Sequence, residues 1–378
     1  MSENADCVII GGGITGASIA YHLTQLEKLN VIVLEKDALA SKATGICPGG
    51  VRQQFSIETA CLYARESVRF FENLEEELHP DYPLPFKQTG YVFLAHEEPT
   101  LNAFRANVEL QNRLDIPSEI LRPDDVAKLV PGLQTEGLLG ASFCGTDGFL
   151  EDATGLTETL LRRAKERGAR VELECGLGIE LFGDRVAGVL TSSTFIESPI
   201  VVNAAGCDSP VLARPLGLTL PIEVGRRRLL YTDRQSERVL EPLVAAMDIG
   251  WAGKQLLDGV IYMGYLRETT EDLDDWAYTE KAVETSVEVF PGFQEMSIKR
   301  LVDGYYDSTP DGQPFLGGVD GLDGYFQAAG FSGHGFMLAP AVGQVMAELI
   351  LGRPPSLPVE PFSYKRFQED SAEDQLVI

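Results

Sequence analysis

A chain of 378 residues, 44% hydrophobic and 23% charged, has the length for two domains and the composition of a water-soluble globular protein. Its 57 acidic against 31 basic residues give a formal charge of -26, which argues against nucleic acid or an anionic membrane as partner, since both need clustered Lys and Arg. The excess reads instead as a solvated acidic surface. No apolar run reaches the length of a membrane span, and the chain enters its first strand with no room for a signal peptide, so a cytoplasmic location is expected. The cysteines (Cys7, Cys47, Cys61, Cys144, Cys175, Cys207) include no C-x-x-C pair, so neither a metal site nor a dithiol redox centre is expected. Cys47 stands apart because it lies in a glycine-rich loop.

In chain order, Cys7-Val8-Ile9-Ile10 predicts a strand, Gly11-Gly12-Gly13-Ile14-Thr15-Gly16 a glycine turn that opens a helix, and Val31-Ile32-Val33-Leu34-Glu35 a second strand ending in an acid. Gly11 allows the tight turn, Gly13 lets the backbone approach a pyrophosphate, and Gly16 lets the helix pack close to the strand. A diphosphate then sits on free N–H groups at the positive end of the helix. Glu35 falls about 20 residues beyond the turn, where a carboxylate accepts hydrogen bonds from an adenosine ribose. Together these features predict a dinucleotide site.

Ser41 to Phe55 carries no periodic pattern and reads as a loop lying against something, with Ser56 placed to cap the next helix (Ala60, Tyr63, Ala64, Val68, Phe71). The run Pro80 to Pro85 is a candidate crossing between domains. Gly90 to Ala95 predicts a strand, Leu101 to Leu114 a helix, and Pro123 to Val130 a short helix with Pro at its start. After Asp152, the spacing of Leu156, Leu160, Leu161 and Ala164 predicts a helix closed by Gly168. Strands are expected at Arg170 to Glu174, Gly188 to Leu190 and Pro199 to Gly206. The last ends in Ala204-Ala205-Gly206, small residues suited to a cofactor contact at a strand's carboxyl end. Leu220 to Tyr231 and Val260 to Tyr265 read as strands and Thr279 to Phe290 as a helix. Gly324 to Ala329 is a final strand. It leads through Gly330-Phe331-Ser332-Gly333-His334-Gly335-Phe336 into a helix, a second strand-turn-helix junction whose N–H groups favour negative charge.

These blocks together resemble the D-amino-acid oxidase family of FAD-dependent amine and imino-acid oxidoreductases. Lys87 to Tyr91, Gly50 to Phe55 and Gly330 to Phe336 point to the branch of sarcosine oxidase beta subunits and dye-linked L-proline dehydrogenases. The resemblance implies an α/β fold: a Rossmann-like FAD-binding domain, discontinuous over 1–82, 150–218 and 301–378, and an α+β substrate domain on a mostly antiparallel sheet over 83–149 and 219–300. It implies extended FAD, with the adenosine at Glu35 and Lys36, the diphosphate at Gly11, Gly13, Ile14, Thr15 and Gly16, and further contacts at Ala205 and Gly206. The flavin ring falls near Thr44, Gly50 and Val51 and near Gly333, His334, Gly335, Phe336 and Met337. The implied reaction is transfer of hydride from the carbon bearing an amine to flavin, leaving an imine that water hydrolyses; the protein positions the substrate and the cofactor carries the chemistry.

Four departures qualify the resemblance. The cysteine that binds FAD covalently in monomeric sarcosine oxidases falls at Gly304, so non-covalent FAD is expected. Their carboxylate-binding lysine falls at Met337 and their oxygen-activating lysine at Tyr262. The arginine of glycine oxidases falls near Tyr306. Arg52 is the remaining candidate to clamp a substrate carboxylate, with contact to the flavin or to an acidic neighbour as the other reading. Tyr265, Tyr305 and Tyr306 are candidates to line the substrate pocket or, equally, core aromatics. The expected function is oxidation of a proline-, sarcosine- or glycine-type amino acid, with an acceptor other than oxygen. An oxidase of the same substrates, or the flavin subunit of an assembly whose partner subunit carries a second redox centre, are the alternatives.

Overall fold

The computed structural model describes residues 3–267 and 273–368; the expected domain limits at 1 and 378 lie outside them. Two large sheets carry the chain. The first has at its centre the parallel strands Leu322–Ala329, Val201–Asn203, Cys7–Ile10, Val31–Glu35 and Arg170–Leu173, in that order. Cys7–Ile10 and Val201–Asn203 are buried at every residue, as a parallel strand covered on both faces must be, and the unbroken apolar sequence of Cys7–Ile10 follows from it. One face is covered by the helices Ile14–Leu26, Ala153–Glu166 and Gly335–Ile350. The other carries the hairpin of Gly176–Phe182 with Arg185–Thr191.

The second sheet runs Ile298–Ser308, Glu223–Arg234, Val260–Tyr265, Trp251–Gln255, Leu243–Ala246, Tyr91–Ala95, Gly140–Cys144, Ser118–Leu121. All of its pairings are antiparallel except Leu243–Ala246 with Tyr91–Ala95, among the described residues. Pro123–Leu129 and Asp275–Val289 pack on one face around Trp251, Met263 and Tyr278. The opposite face gathers Tyr91, Phe93, Phe149, Tyr231 and Tyr262. Ile298–Ser308 straddles the expected boundary at residue 301 and pairs along its length with Glu223–Arg234.

Several local expectations are revised. The 41–55 segment is not all loop: it holds a helical turn, Ala43–Ile46, and the strand Gly50–Val51, which pairs with Gly148–Phe149 and anchors the segment to the second half of the molecule. The helix Glu58–Glu72 starts from Ile57, not from a Ser56 cap. The helix expected from Leu101 begins at Glu98, and the one expected from Thr279 begins at Asp275, where Asp274 accepts a hydrogen bond from Ala277 N at 2.8 Å and caps it. Among the described residues no helix is long and apolar enough to cross a membrane, and no group of three or more His, Cys, Asp or Glu is placed to hold a metal ion.

Candidate functional site

The glycine turn has the geometry its sequence dictates. Gly11 has φ 120°, and a Cβ there would stand 2.2 Å from the carbonyl oxygen of Ala204, at the end of the neighbouring strand. A Cβ on Gly16 would stand 2.0 Å from the carbonyl oxygen of Gly11, so the helix rests directly on the turn. Gly13 occupies the N-cap of Ile14–Leu26 with no side-chain cap, leaving the helix dipole facing the groove. Ile14 N donates to Thr44 Oγ1 at 3.1 Å, which ties the 43–46 turn to the same helix end. Glu35 Oε2 accepts from Gly12 N and Oε1 from Asp37 N, both at 2.9 Å, so the carboxylate is oriented at the strand's end. Lys36 forms an exposed 2.5 Å ion pair with Asp208, just past Ala205 and Gly206. A Cβ on Gly206 would meet open space. These residues make a cradle that fits the adenosine and diphosphate of a dinucleotide.

The far end of the cradle forms where 49–55 meets 330–336. A Cβ on Gly50 would lie 2.0 Å from the hydroxyl of Tyr91, so that hydroxyl sits against the loop backbone beside Val51. Arg52 is 1% exposed. Its Nη1 donates to the carbonyl of Gln54, its Nη2 lies 2.9 Å from His334 Nε2, and its guanidinium stacks 4.1 Å from the Phe55 ring. Because a guanidinium only donates, Nε2 of His334 is the acceptor and the ring proton belongs on Nδ1. His334 is the N-cap of Gly335–Ile350 and packs edge-on against Phe55 at 5.1 Å. Gly333, φ 86°, gives way to Tyr306, whose ring would lie 2.4 Å from a Cβ there. Phe336 packs on Phe71 at 5.7 Å and Met337 joins the same core, so both face into the protein and bring only backbone toward the groove. Arg52, His334, Gly333 and Tyr306 are thus brought together.

Tyr265 is not among them. Along Val260–Tyr265, Ile261, Met263 and Tyr265 face the helix-covered core, and Tyr265 N accepts its place there by donating to Tyr278 Oη at 3.1 Å. Tyr262 points the other way, with Tyr231 directly across at 6.0 Å between ring centres. Tyr305 also leaves the site: it pairs with Arg226 on the outer face and is exposed. Sequence reasoning passed over Gly12, the clustering of Tyr91, Tyr231 and Tyr262 on one sheet face, and Arg227. The last had a usable signal. Three successive arginines in a strand cannot share a face: Arg226 meets Asp303 and Asp275, Arg228 lies over Tyr278, and Arg227 between them lies over Tyr306 at 5.3 Å.

Burial raises the hydroxyl pKa of Tyr91, Tyr231, Tyr262 and Tyr306, with Arg52 opposing the rise at Tyr91 and, alongside Arg227, at Tyr306. All four hydroxyls therefore stay protonated near neutral pH. Burial likewise lifts the Cys47 thiol to about 11, against backbone hydrogen bonds from Gly49 and Gly50, so it carries no thiolate. None of the six cysteines forms a disulfide. Behind the loop, fully buried Asp147 accepts from Gln53 N at 2.8 Å and Gln54 Nε2 at 2.9 Å, while burial pushes its carboxyl up to about 6.

The family profile described as DAO, FAD dependent oxidoreductase, matches residues 6–349. The chain is 30% identical to FAD-dependent oxidoreductase domain-containing protein 1 of Bos taurus, over 97% of this chain and 85% of that protein. It is 28% identical to the mitochondrial sarcosine dehydrogenase of Homo sapiens over 97% of its own length, but spans only 42% of that relative. The crystal structure of L-proline dehydrogenase from P. horikoshii superposes with a TM-score of 0.91 at 32% identity, covering 99% of this chain and 100% of the other. With its glycine turn, oriented Glu35 and second turn at Gly333 in place, the chain belongs to the DAO family of FAD-dependent oxidoreductases.

Proposed function

We propose that the protein oxidises a secondary or primary amino acid of the proline, sarcosine or glycine type and passes the electrons to an acceptor other than oxygen. The observation that carries this reading is the meeting of the Gly333 turn with a box of protonated tyrosines, Tyr91, Tyr231, Tyr262 and Tyr306, on the facing sheet. The names of the sarcosine and proline dehydrogenases similar to this chain support the substrate class.

In this reading FAD supplies the redox chemistry by accepting hydride from the carbon that bears the amine. The chain's own residues do the rest. Gly11 to Gly16 hold the diphosphate and Glu35 the adenosine ribose, while Lys36 and Asp208 lie beside Ala205 and Gly206. Thr44, Gly50 and Val51 pass one side of the ring site and the N-terminal turn of Gly335–Ile350 the other, where its dipole stabilises negative charge. No side chain is assigned as a base: the four tyrosines hold their protons, so the substrate amine must arrive neutral, and its nitrogen gives up a proton to water only after the carbon has lost hydride. Water then hydrolyses the imine. Gly304 offers no thiol, which supports non-covalent FAD. Tyr262 stands where oxidases have a lysine, and Lys254 on the same sheet face has Nζ turned to the carbonyl of Glu241 at 2.5 Å, which supports an acceptor other than oxygen.

The test is steady-state oxidation of proline, sarcosine and glycine with an artificial dye or with oxygen as acceptor, following imine-derived product and hydrogen peroxide. The expected outcome is turnover with dye and little peroxide. Peroxide formed in step with product would make the protein an oxidase, and no turnover of any amino acid with either acceptor would refute the reading.

A further inference from the structure

We infer that Arg52 is a positioning residue that acts on the flavin site through His334: by donating to Nε2 it keeps the imidazole neutral in both redox states, so that reduction of the flavin draws no proton onto the head of Gly335–Ile350. The inference rests on the cofactor of the family and not on the amino-acid substrate. Arg52 Nη2 lies 2.9 Å from His334 Nε2, and a guanidinium has five donors and no acceptor. An imidazolium carries a proton on both nitrogens, so at this contact it would set donor against donor and cation against cation. The surroundings oppose the charge as well. His334 is 3% exposed, and it stands at the N-cap of a 16-residue helix whose positive end repels a cation.

Arg52 is itself framed. Its Nη1 donates to the Gln54 carbonyl, and its guanidinium lies 4.1 Å from the centre of the Phe55 ring and 5.6 Å from that of Phe93. Phe55 also meets His334 edge-on at 5.1 Å, so one ring spaces both partners. Gln54 is tied in turn, with Nε2 donating to Asp147 and to the Tyr91 carbonyl and Oε1 accepting from Ser142 Oγ. This frame holds the guanidinium on Nε2. The other titratable and charged groups around His334 are few. Ile298–Ser308 brings Tyr306, whose ring rests against Gly333, and Asp307, which accepts from Gly330 N at 2.8 Å; Arg227 lies over Tyr306. Glu58–Glu72 brings Cys61, which donates to the Phe55 carbonyl at 3.4 Å. Burial keeps Tyr306 and Cys47 protonated. Burial also raises the carboxyls of Asp147 and Asp307, which makes these two the rival proton sites.

The experiment uses the FAD-loaded chain with no substrate. The ratio of reduced to oxidised flavin is read at equilibrium with a reference dye of known potential, over roughly pH 5.5 to 8.5, the span in which a histidine titrates, and flavin content is measured separately. Slopes carry the answer, since loss of a cation shifts the ratio alike at every pH. H334Q is expected to run parallel to the wild type. R52M leaves Nε2 without its donor, so relative to the wild type its reduced share should rise as pH falls, several-fold and at most about tenfold per pH unit, the limit for one proton taken up on reduction. R52M/H334Q should lose that rise, and R52K, which restores a cationic donor, should return to the wild-type slope. If R52M does not fold, H334Q against the wild type decides the matter. A wild type steeper than H334Q, an R52M profile parallel to the wild type, or a rise that survives in R52M/H334Q and so belongs to Asp147 or Asp307, would each overturn the inference. A wild-type chain that takes up no FAD would instead defeat the cofactor reading on which the inference rests, whatever the variants do.

Discussion

Asp147 has no exposed surface, yet the loop that carries Arg52 is hung from it through Gln53 N and Gln54 Nε2. Burial raises its carboxyl from 3.8 to about 6, so the folded state disfavours the ionised form. The stability this proton brings is complete below pH 4 and is lost as pH rises through about 6, by roughly 3 kcal/mol at most. Asp147→Asn removes the titration while keeping a side-chain acceptor. Compared with that variant, the wild type should lose melting temperature steadily between pH 4 and pH 6; parallel profiles would show that Asp147 does not titrate there. Single-residue placement was also where sequence reading failed most plainly. Tyr262 and Tyr265 lie on opposite faces of one strand, but both faces are covered, so Val260–Tyr265 shows no polar alternation to reveal which parity faces the site. Arg52 was legible as a special residue. Its burial against His334 was not, because that contact joins positions 282 residues apart.

At the level of elements, the glycine turn and Gly335–Ile350 were legible because glycine marks both junctions and each helix keeps its apolar pattern for several turns. Trp251–Gln255 was missed for a physical reason. Its sequence ends in Lys and Gln and reads as polar, yet all five residues are buried, with Lys254 donating to the Glu241 carbonyl and Gln255 bonding to Val239 N and the Glu237 carbonyl. Leu243–Ala246, buried throughout, offers no period at all. The packing of Ile14–Leu26 on its own turn leads to a direct test. Gly16→Ala places a methyl 2.0 Å from the Gly11 carbonyl oxygen, and backbone cannot swing aside as a side chain can. The variant should lose about 1–3 kcal/mol in chemical denaturation and purify with a lower flavin-to-protein ratio. A normal ratio would mean that the turn does not hold the diphosphate.

Across the whole molecule, the chain passes back and forth between two sheets, and the residues that meet at the site come from 47–52, 91, 227, 231, 262, 304, 306 and 333–335. The path is closed by a buried pair far from the cradle: Arg366 donates to both oxygens of Asp311, at 2.7 and 3.1 Å, and to the Gln313 carbonyl at 2.6 Å, while stacking on Phe315. Arg366→Ala strands a buried carboxylate and should cost about 3–5 kcal/mol in denaturant unfolding; an unchanged midpoint would mean that the segment around 366 contributes nothing to the fold. The alternation of strands and helices made the two-part architecture readable, but the meeting of the two sheets is a long-range event that no local pattern encodes. What the assembled site is for is tested most directly by mixing the FAD-loaded chain anaerobically with proline, sarcosine and glycine in turn. The account predicts that at least one of them bleaches the flavin band completely, with one amino acid oxidised per FAD. A chain that holds FAD but keeps its band unchanged with every amino acid offered would contradict it.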